Sequence, residues 1–354
     1  MIINPFGVGD CLFADPLIAN LKRSYPALKI TYVANDRTAS FIRSDPNIDA
    51  VISYERDLFV QASKKGPFVL LAKWVAFIKA IKDARCEVVF DLSLNRMFSV
   101  LTWIAGIPKR IGYDYKGRGI FLTHKTRLLG YENKHVVEYY LDLLQFIDVP
   151  VLTRQMTLNI GKEADIWAGQ WLLKNNVKAV SELVAVVPGG GASWGGRADR
   201  KRWPASKYAQ LIDKMVAQLG VTVILFGDAK EEGLAQEIAS VAASPILSAV
   251  GQTSILQMAA LFKYCSFAVV NDGGPLHVAV ASGTRTISIF GPVDPLVYGP
   301  YPMALHQVVQ KGLACQPCYK RFCVAHCDHM SCLQDLSVQD VYRKVSLVYE
   351  HSIH

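Results

Sequence analysis

Short apolar runs alternate along this chain with longer stretches in which apolar positions recur at helical spacing. The runs IINPF (2–6), KITYVAN (29–35), AVISY (50–54) and EVVFDLS (87–93) mark its first part. LVAVVPG (183–189), VTVILFG (221–227), ILSAVG (246–251), FAVVNDG (267–273) and TISIFG (286–291) repeat the rhythm in the second. Their length and β-branched content predict strands buried on both faces, as in a parallel sheet. Helical stretches between them imply right-handed βαβ crossovers. The expected fold class is α/β: two Rossmann-like domains whose parallel sheets face a central cleft, with ligands at the carboxyl ends of the strands. ADIWAGQWLLKNNV (164–177) predicts an amphipathic helix between the halves, and VQDVYRKVSLVYEH (338–351) a terminal one. The expected division is an N-terminal domain 1–160, a second domain 161–335 and a C-terminal helix 336–354.

Composition supports this reading. A chain of 354 residues with 51% hydrophobic and 19% charged residues can bury two cores, which excludes a disordered or low-complexity protein. The longest apolar stretch, PFVLLAKWVAFIKAI (67–81), is interrupted by Lys73 and Lys79 and is too short to span a bilayer. The sequence starts directly in its first strand, so no secretory signal is expected. That strand is short at its front edge, which suggests a natural start a few residues upstream. A cytosolic protein, at most lying on a membrane surface, is the expectation.

Candidate chemistry concentrates in NDGGPLHVAVASGTRTISIFGPVDPLVYGP (271–300). A buried strand leads into Asp272-Gly273-Gly274, and Pro275 suits the start of a helix that ends at Gly283. Strand, glycine turn and helix N-terminus together make an anion site, because backbone N–H groups and the helix dipole face the ligand. Taken alone, Asp272 reads equally as a helix cap and His277 as a core histidine. The longer string DGGPLHVAVASGTRTISIFGPVDPLVYGP (272–300) closely resembles the nucleotide-sugar loop of glycosyltransferase family 9, the family of bacterial lipopolysaccharide heptosyltransferases. GVGDCLFADPLIANLKRSYPALKITYVAN (7–35) looks like that family's opening strand–loop–helix–strand, and VPGGGASWGGRADRKRWPASKYAQLIDKM (187–215) resembles its second signature.

The resemblance implies the GT-B arrangement, with an acceptor-binding N-terminal domain and a nucleotide-sugar-binding second domain. It implies inverting transfer of a heptose from ADP-heptose to the inner core of lipopolysaccharide. Asp10 in the GVGD loop matches the family's proposed base, although from local sequence it reads equally as a helix N-cap. Asp15, Asp91 and Asp114 are weaker candidates. Lys201, before Arg202-Trp203-Pro204, is placed to stabilise the departing diphosphate. Ser193 and Trp194 are expected beside the same phosphates, with Gly273, Gly274 and Leu276 completing the anion site and His277 close by. Glu231 matches the position that contacts the donor ribose, and Thr253 a segment that lines the adenine pocket. Local sequence allows Glu231 as an ordinary first-turn acid and Thr253 as a cap.

Charge and cysteines add two further expectations. The formal net charge is +8, and Arg96, Lys109, Arg110, Lys116, Arg118, Lys125 and Arg127 stand against Asp114 alone between residues 96 and 127. Such a patch suits an anionic acceptor or membrane surface, with Arg96, Arg110, Lys116 and Arg118 as candidate acceptor contacts. No nucleic-acid motif accompanies it. Cys315, Cys318, Cys323, Cys327 and Cys332 have spacing suited to a structural zinc or iron–sulfur knot, or are reduced thiols packing a loop. No motif supplies the paired carboxylates of a Mg²⁺-dependent sugar-nucleotide site, so no catalytic metal is expected. Alternatives are another nucleotide-sugar transferase or epimerase on a GT-B scaffold, or a basic sugar-nucleotide-binding protein without catalysis.

Overall fold

The computed structural model describes every residue except 179, 191–194 and 354. The chain divides into two compact units, residues 1–131 with 136–154, and residues 132–135 with 155–354. The division thus falls near residue 154, and the short segment 132–135 belongs to the second unit.

In the first unit, β1 (Ile2–Ile3), β2 (Thr31–Ala34), β3 (Ala50–Ser53), β4 (Val88–Asp91), β5 (Lys109–Tyr115) and β6 (His124–Leu128) form one parallel sheet. Their order is β3-β2-β1-β4-β5-β6. Strands β1, β2 and β4 are the apolar runs of the sequence, and Ile3, Val33 and Val89 pack with Phe77, Ile81 and Phe98 in one core. Two strands, β5 and β6, fall inside the stretch expected only as a basic patch. In β5, KRIGYDY, burial of Ile111, Tyr113 and Tyr115 holds the strand while its charged neighbours remain partly exposed. The edge strand β6, HKTRL, buries Leu128 and exposes Lys125 and Arg127, charges that protect a sheet edge from further pairing.

The second unit repeats the topology. Its strands are β7 (Leu183–Val187), β8 (Thr222–Leu225), β9 (Ile246–Ser248), β10 (Cys265–Asn271), β11 (Arg285–Ile289) and β12 (Gln307–Val309), again all parallel. The order β12-β11-β10-β7-β8-β9 reads from the other edge as the same doubly wound pattern. Every residue of β7 is buried. The helix Ala205–Leu219 follows Pro204 and stops at Gly220, in the left-handed conformation that favours glycine. The terminal helix Val338–Ile353 is part of this unit. Its Val341, Tyr342, Val345 and Val348 enter the same core as Val184, Trp203 and Phe267. A hairpin of β13 (Tyr319–Lys320) and β14 (Cys323–Val324) projects the cysteine-rich segment.

Each sheet reverses direction of strand addition once, between β1 and β4 and between β7 and β10. In doubly wound sheets, ligands bind at the carboxyl ends of the strands at such a point. GVGD follows β1, PGG follows β7, and DGG follows β10. The glycine motifs of the sequence therefore stand at the two switch points.

Candidate functional site

In the second unit the loops after β7 and β10 are in direct contact. Asn271, the last residue of β10, is fully buried and donates from Nδ2 to the Pro188 carbonyl. Gly273 lies so close to Gly190 that a Cβ there would stand 1.9 Å from the Gly190 carbonyl oxygen. A bare backbone is a steric requirement at that point. The helix Gly274–Ala281 begins in the same loop, with Gly273 as its N-cap and Leu276 donating its N–H to the Gly273 carbonyl at 3.2 Å. Asp272 is not the cap of this helix. Its carboxylate instead pairs with Lys201 Nζ at 2.7 Å, and the two side chains are only 5% and 9% exposed.

Lys201 reaches this position from the end of the 3-10 segment Gly195–Lys201. His277, one turn into the helix, is buried, and desolvation holds its pKa well below the usual range, with the charges of His135 and Lys201 acting in the same sense. The imidazole is therefore neutral at pH 7. His135, from the segment that belongs to this unit, stacks on Tyr301 with ring centroids 4.5 Å apart and contacts the Gly299 carbonyl through Nε2 at 3.1 Å. His135 lies far from the glycine loops in sequence and no motif marks it.

A second ion pair stands beside the first loop. Arg202 donates from Nε to the Gly189 carbonyl at 3.0 Å and pairs with Glu231 Oε1 at 3.3 Å. Glu231 Oε2 accepts the Asp228 N–H at 3.0 Å, closing a capping box at the start of the short 3-10 helix Ala229–Glu231. The ordinary helical role that local sequence allowed for Glu231 is thus present, together with an ion pair. A Cβ on Gly189 would fall 1.8 Å from Glu231 Oε1, so the glycine makes room for this carboxylate. Thr253 is half-buried, and the cap beside it is Ser254, in a capping box with Gln257. Ser193 and Trp194 lie outside the described residues.

In the first unit, Asp10 stands half-exposed in the first turn of the helix Val8–Phe13, just beyond β1. Gly7 is the N-cap, so Asp10 does not serve that role. Buried Asn4 donates from Nδ2 to the Asp10 carbonyl at 2.8 Å, fixing the turn to the end of the strand. The charge of Asp10 acts on Tyr32, Tyr131 and Tyr140, whose phenols are pushed up chiefly by burial. Two of the other carboxylates are less accessible, whereas Asp114 is half-exposed like Asp10. Asp15 and Asp91 are buried, and burial raises Asp91 to about 6 despite its bonds from Ser93. Asp114 accepts the Gly119 N–H at 3.0 Å.

Within the basic stretch, Lys116 and Arg118 flank the Tyr115 ring at 5.1 and 5.3 Å and are exposed. Arg110 is committed elsewhere: its guanidinium donates to the carbonyls of Phe121 (2.6 Å), Ile107 and Pro108, tying the segment after β5 to the one before it. Arg96 donates to the Gly117 carbonyl at 3.4 Å.

The cysteine-rich segment forms a pocket of about 560 Å³ lined by Cys315, Cys318, Cys323 and Cys327 with His326 and His329. Cys332 is buried beside it, and burial reinforced by the neighbouring thiols raises its pKa to about 11. Among the described residues, no three His, Cys, Asp or Glu side chains converge closely enough to hold a metal ion. The donors are present without the geometry.

Known proteins resemble this chain in sequence and fold. The model of glycosyltransferase family 9 (heptosyltransferase) matches residues 74–329. Lipopolysaccharide heptosyltransferase 3 of Escherichia coli is 25% identical over 298 residues, which is 83% of each chain. A family 9 glycosyl transferase from Veillonella parvula superposes with a TM-score of 0.80 at 22% identity, covering 99% of this chain and 96% of that one. The E. coli ADP-heptose lipopolysaccharide heptosyltransferase II superposes at 0.76 with 22% identity, covering 100% and 99%. The two parallel sheets are those of the GT-B class.

Proposed function

Since this chain belongs to glycosyltransferase family 9, the heptosyltransferase family, we propose that it transfers a heptose from ADP-heptose to the inner core of lipopolysaccharide, with inversion at the anomeric carbon. The observation that carries this reading is the buried Lys201–Asp272 pair at the switch point between β7 and β10, beside two abutting glycine loops. The diphosphate is seated on the loops at 188–190 and 272–274, near the start of the helix Gly274–Ala281. Lys201 turns its ammonium to the phosphate oxygens. Neutral His277 adds a polar neighbour without competing charge. Glu231, oriented by Arg202 and the Asp228 amide, meets the ribose hydroxyls, and the segment at Thr253 borders the base.

In the transfer step, an acceptor hydroxyl oxygen forms its bond to the anomeric carbon as the bond from that carbon to the ADP oxygen breaks. Asp10 takes the hydroxyl proton as it is released. The charge gathering on ADP is stabilised by the loop amides and by Lys201 once its ammonium turns from Asp272 to the phosphates. Ser193 and Trp194 are assigned to the phosphates by resemblance alone. Lys116 and Arg118 are proposed to draw in the anionic acceptor, and the reaction is assigned to the cytoplasmic side of the inner membrane.

A mass-spectrometric screen of nucleotide sugars against truncated lipopolysaccharide acceptors tests this. The expected result is a heptose added to the acceptor, with ADP released only when both substrates are present. Conversion of the sugar nucleotide without acceptor would instead identify an epimerase. Binding without ADP release would identify a non-catalytic binding protein.

A further inference from the structure

Away from the candidate site, the first unit carries an apolar surface that the reaction does not use. The helices Arg56–Lys65 and Pro67–Asp83 meet at Gly66, whose φ of +126° favours glycine and turns the chain sharply. The second helix is apolar on two sides. Trp74, Phe77, Ile78 and Ile81 pack into the core of the unit. On the outer side Phe68, Leu71 and Val75 are 84%, 59% and 56% exposed. Their spacing of three and four residues places them in one stripe, and the exposed Ala72 and Ala76 widen it. Leu58 and Val60 of the preceding helix, 42% and 43% exposed, add to the apolar surface of the hairpin.

An isolated exposed apolar residue is ordinary, whereas a continuous stripe marks an interaction surface. Its surrounding charge indicates the partner. Lys64 and Lys65 stand at the corner just before Phe68, and Lys79 and Lys82 follow the stripe at its far end. From residue 56 to 83 the basic residues are Arg56, Lys64, Lys65, Lys73, Lys79 and Lys82, against Asp57 and Asp83. A protein partner buried against this stripe needs no ring of one sign, but an anionic lipid surface matches both its parts. No helix among the described residues is long and apolar enough to cross a membrane. This one has 17 residues and suits the plane of the interface.

We propose that the helical hairpin 56–83 docks the protein on an anionic membrane surface, with Phe68, Leu71 and Val75 at the acyl boundary and the lysines on lipid phosphates. The proposal stands on this surface alone and holds whichever sugar is transferred. Flotation of the full chain with vesicles of phosphatidylcholine, alone or with one third phosphatidylglycerol, tests it. Binding is expected only to the anionic vesicles and weakens as salt rises. Phe68→Asp with Leu71→Asp, and separately Lys64→Glu with Lys65→Glu, are each expected to lower vesicle affinity at least about ten-fold. Melting temperatures should be preserved, because these side chains lie outside the core. Equal binding to neutral vesicles, or binding indifferent to both double variants, overturns the proposal. A dimer in sizing chromatography that Phe68→Asp with Leu71→Asp dissociates, without vesicle binding, assigns the stripe to a second copy of the chain and overturns it as well.

Discussion

At the scale of single residues, burial sets Asp15 and Asp91 apart from Asp10 and Asp114, which are both half-exposed; Asp10 follows the glycine turn after β1, whereas Asp114 lies within β5. Asp10→Asn is expected to lower turnover ~10²–10⁴-fold with unchanged ADP affinity, since only the proton acceptor is lost. Kinetics alongside calorimetry check this, and near-normal turnover in a folded variant removes Asp10 from the mechanism. Lys201 requires a different design. Removing it alone leaves the Asp272 carboxylate buried without its cation, which costs about 3–5 kcal/mol of stability. A loss of activity in Lys201→Ala would therefore confuse folding with catalysis. The informative protein is Lys201→Ala combined with Asp272→Asn, expected to recover most of that stability and still bind ADP poorly. AMP, with one phosphate fewer, should lose much less affinity. Equal losses for ADP and AMP would show that Lys201 does not hold the terminal phosphate.

At the scale of elements, the proposed anion site rests on two loops that touch through backbone. Gly273→Ala would push a Cβ against the Gly190 carbonyl, with only 1.9 Å available. Separating the loops is expected to cost about 1–3 kcal/mol of stability and to abolish ADP binding. A melting curve and a titration measure both, and an unchanged affinity would mean that loop contact is not needed. This contact also shows what sequence could convey. The runs LVAVV and FAVVN, each followed by a glycine motif, predicted strands leading to an anion site, because buried parallel strands are continuously apolar. What escaped notice depends on distant partners. Strands β5 and β6 are held by Ile111, Tyr113, Tyr115 and Leu128 within charged surroundings, so the dense charge obscured their pattern. The pairing of Lys201 with Asp272 spans 71 positions, and neither residue carries a local sign of the other. Arg110 was legible as a charge, but not as a donor closing a loop through three carbonyls. His135 enters the second unit by a crossing of only four residues, which no composition change announces.

At the scale of the whole molecule, charge separates into internal pairs and open surface, and the two predict different responses. At the glycine loops after β7 and β10, Asp272 is already paired with Lys201, and Glu231 with Arg202. These carboxylates are engaged by cations instead of being arranged as two metal ligands, so transfer is expected to survive thorough chelation of divalent ions. Loss of activity restored by Mg²⁺ alone would refute that. The open surface behaves otherwise. Lys116 and Arg118 keep their charged ends at the surface around Tyr115, whereas Arg110 is bound to backbone carbonyls. Exposed charges attract an anionic acceptor over a distance set by screening, about 8–10 Å at physiological salt. Reversing Lys116 and Arg118 together is therefore expected to raise the acceptor KM several-fold and leave the donor KM unchanged, because the loops proposed for the donor belong to the other unit. Raised salt should imitate the substitution in the unaltered protein and act weakly on the variant. Replacing Arg110 should instead lower the melting temperature, since its loss leaves the carbonyls of Phe121 after β5 and of Ile107 and Pro108 before it without their donor. If acceptor KM ignores both salt and charge reversal, the surface charge contributes solubility and the acceptor is recognised elsewhere.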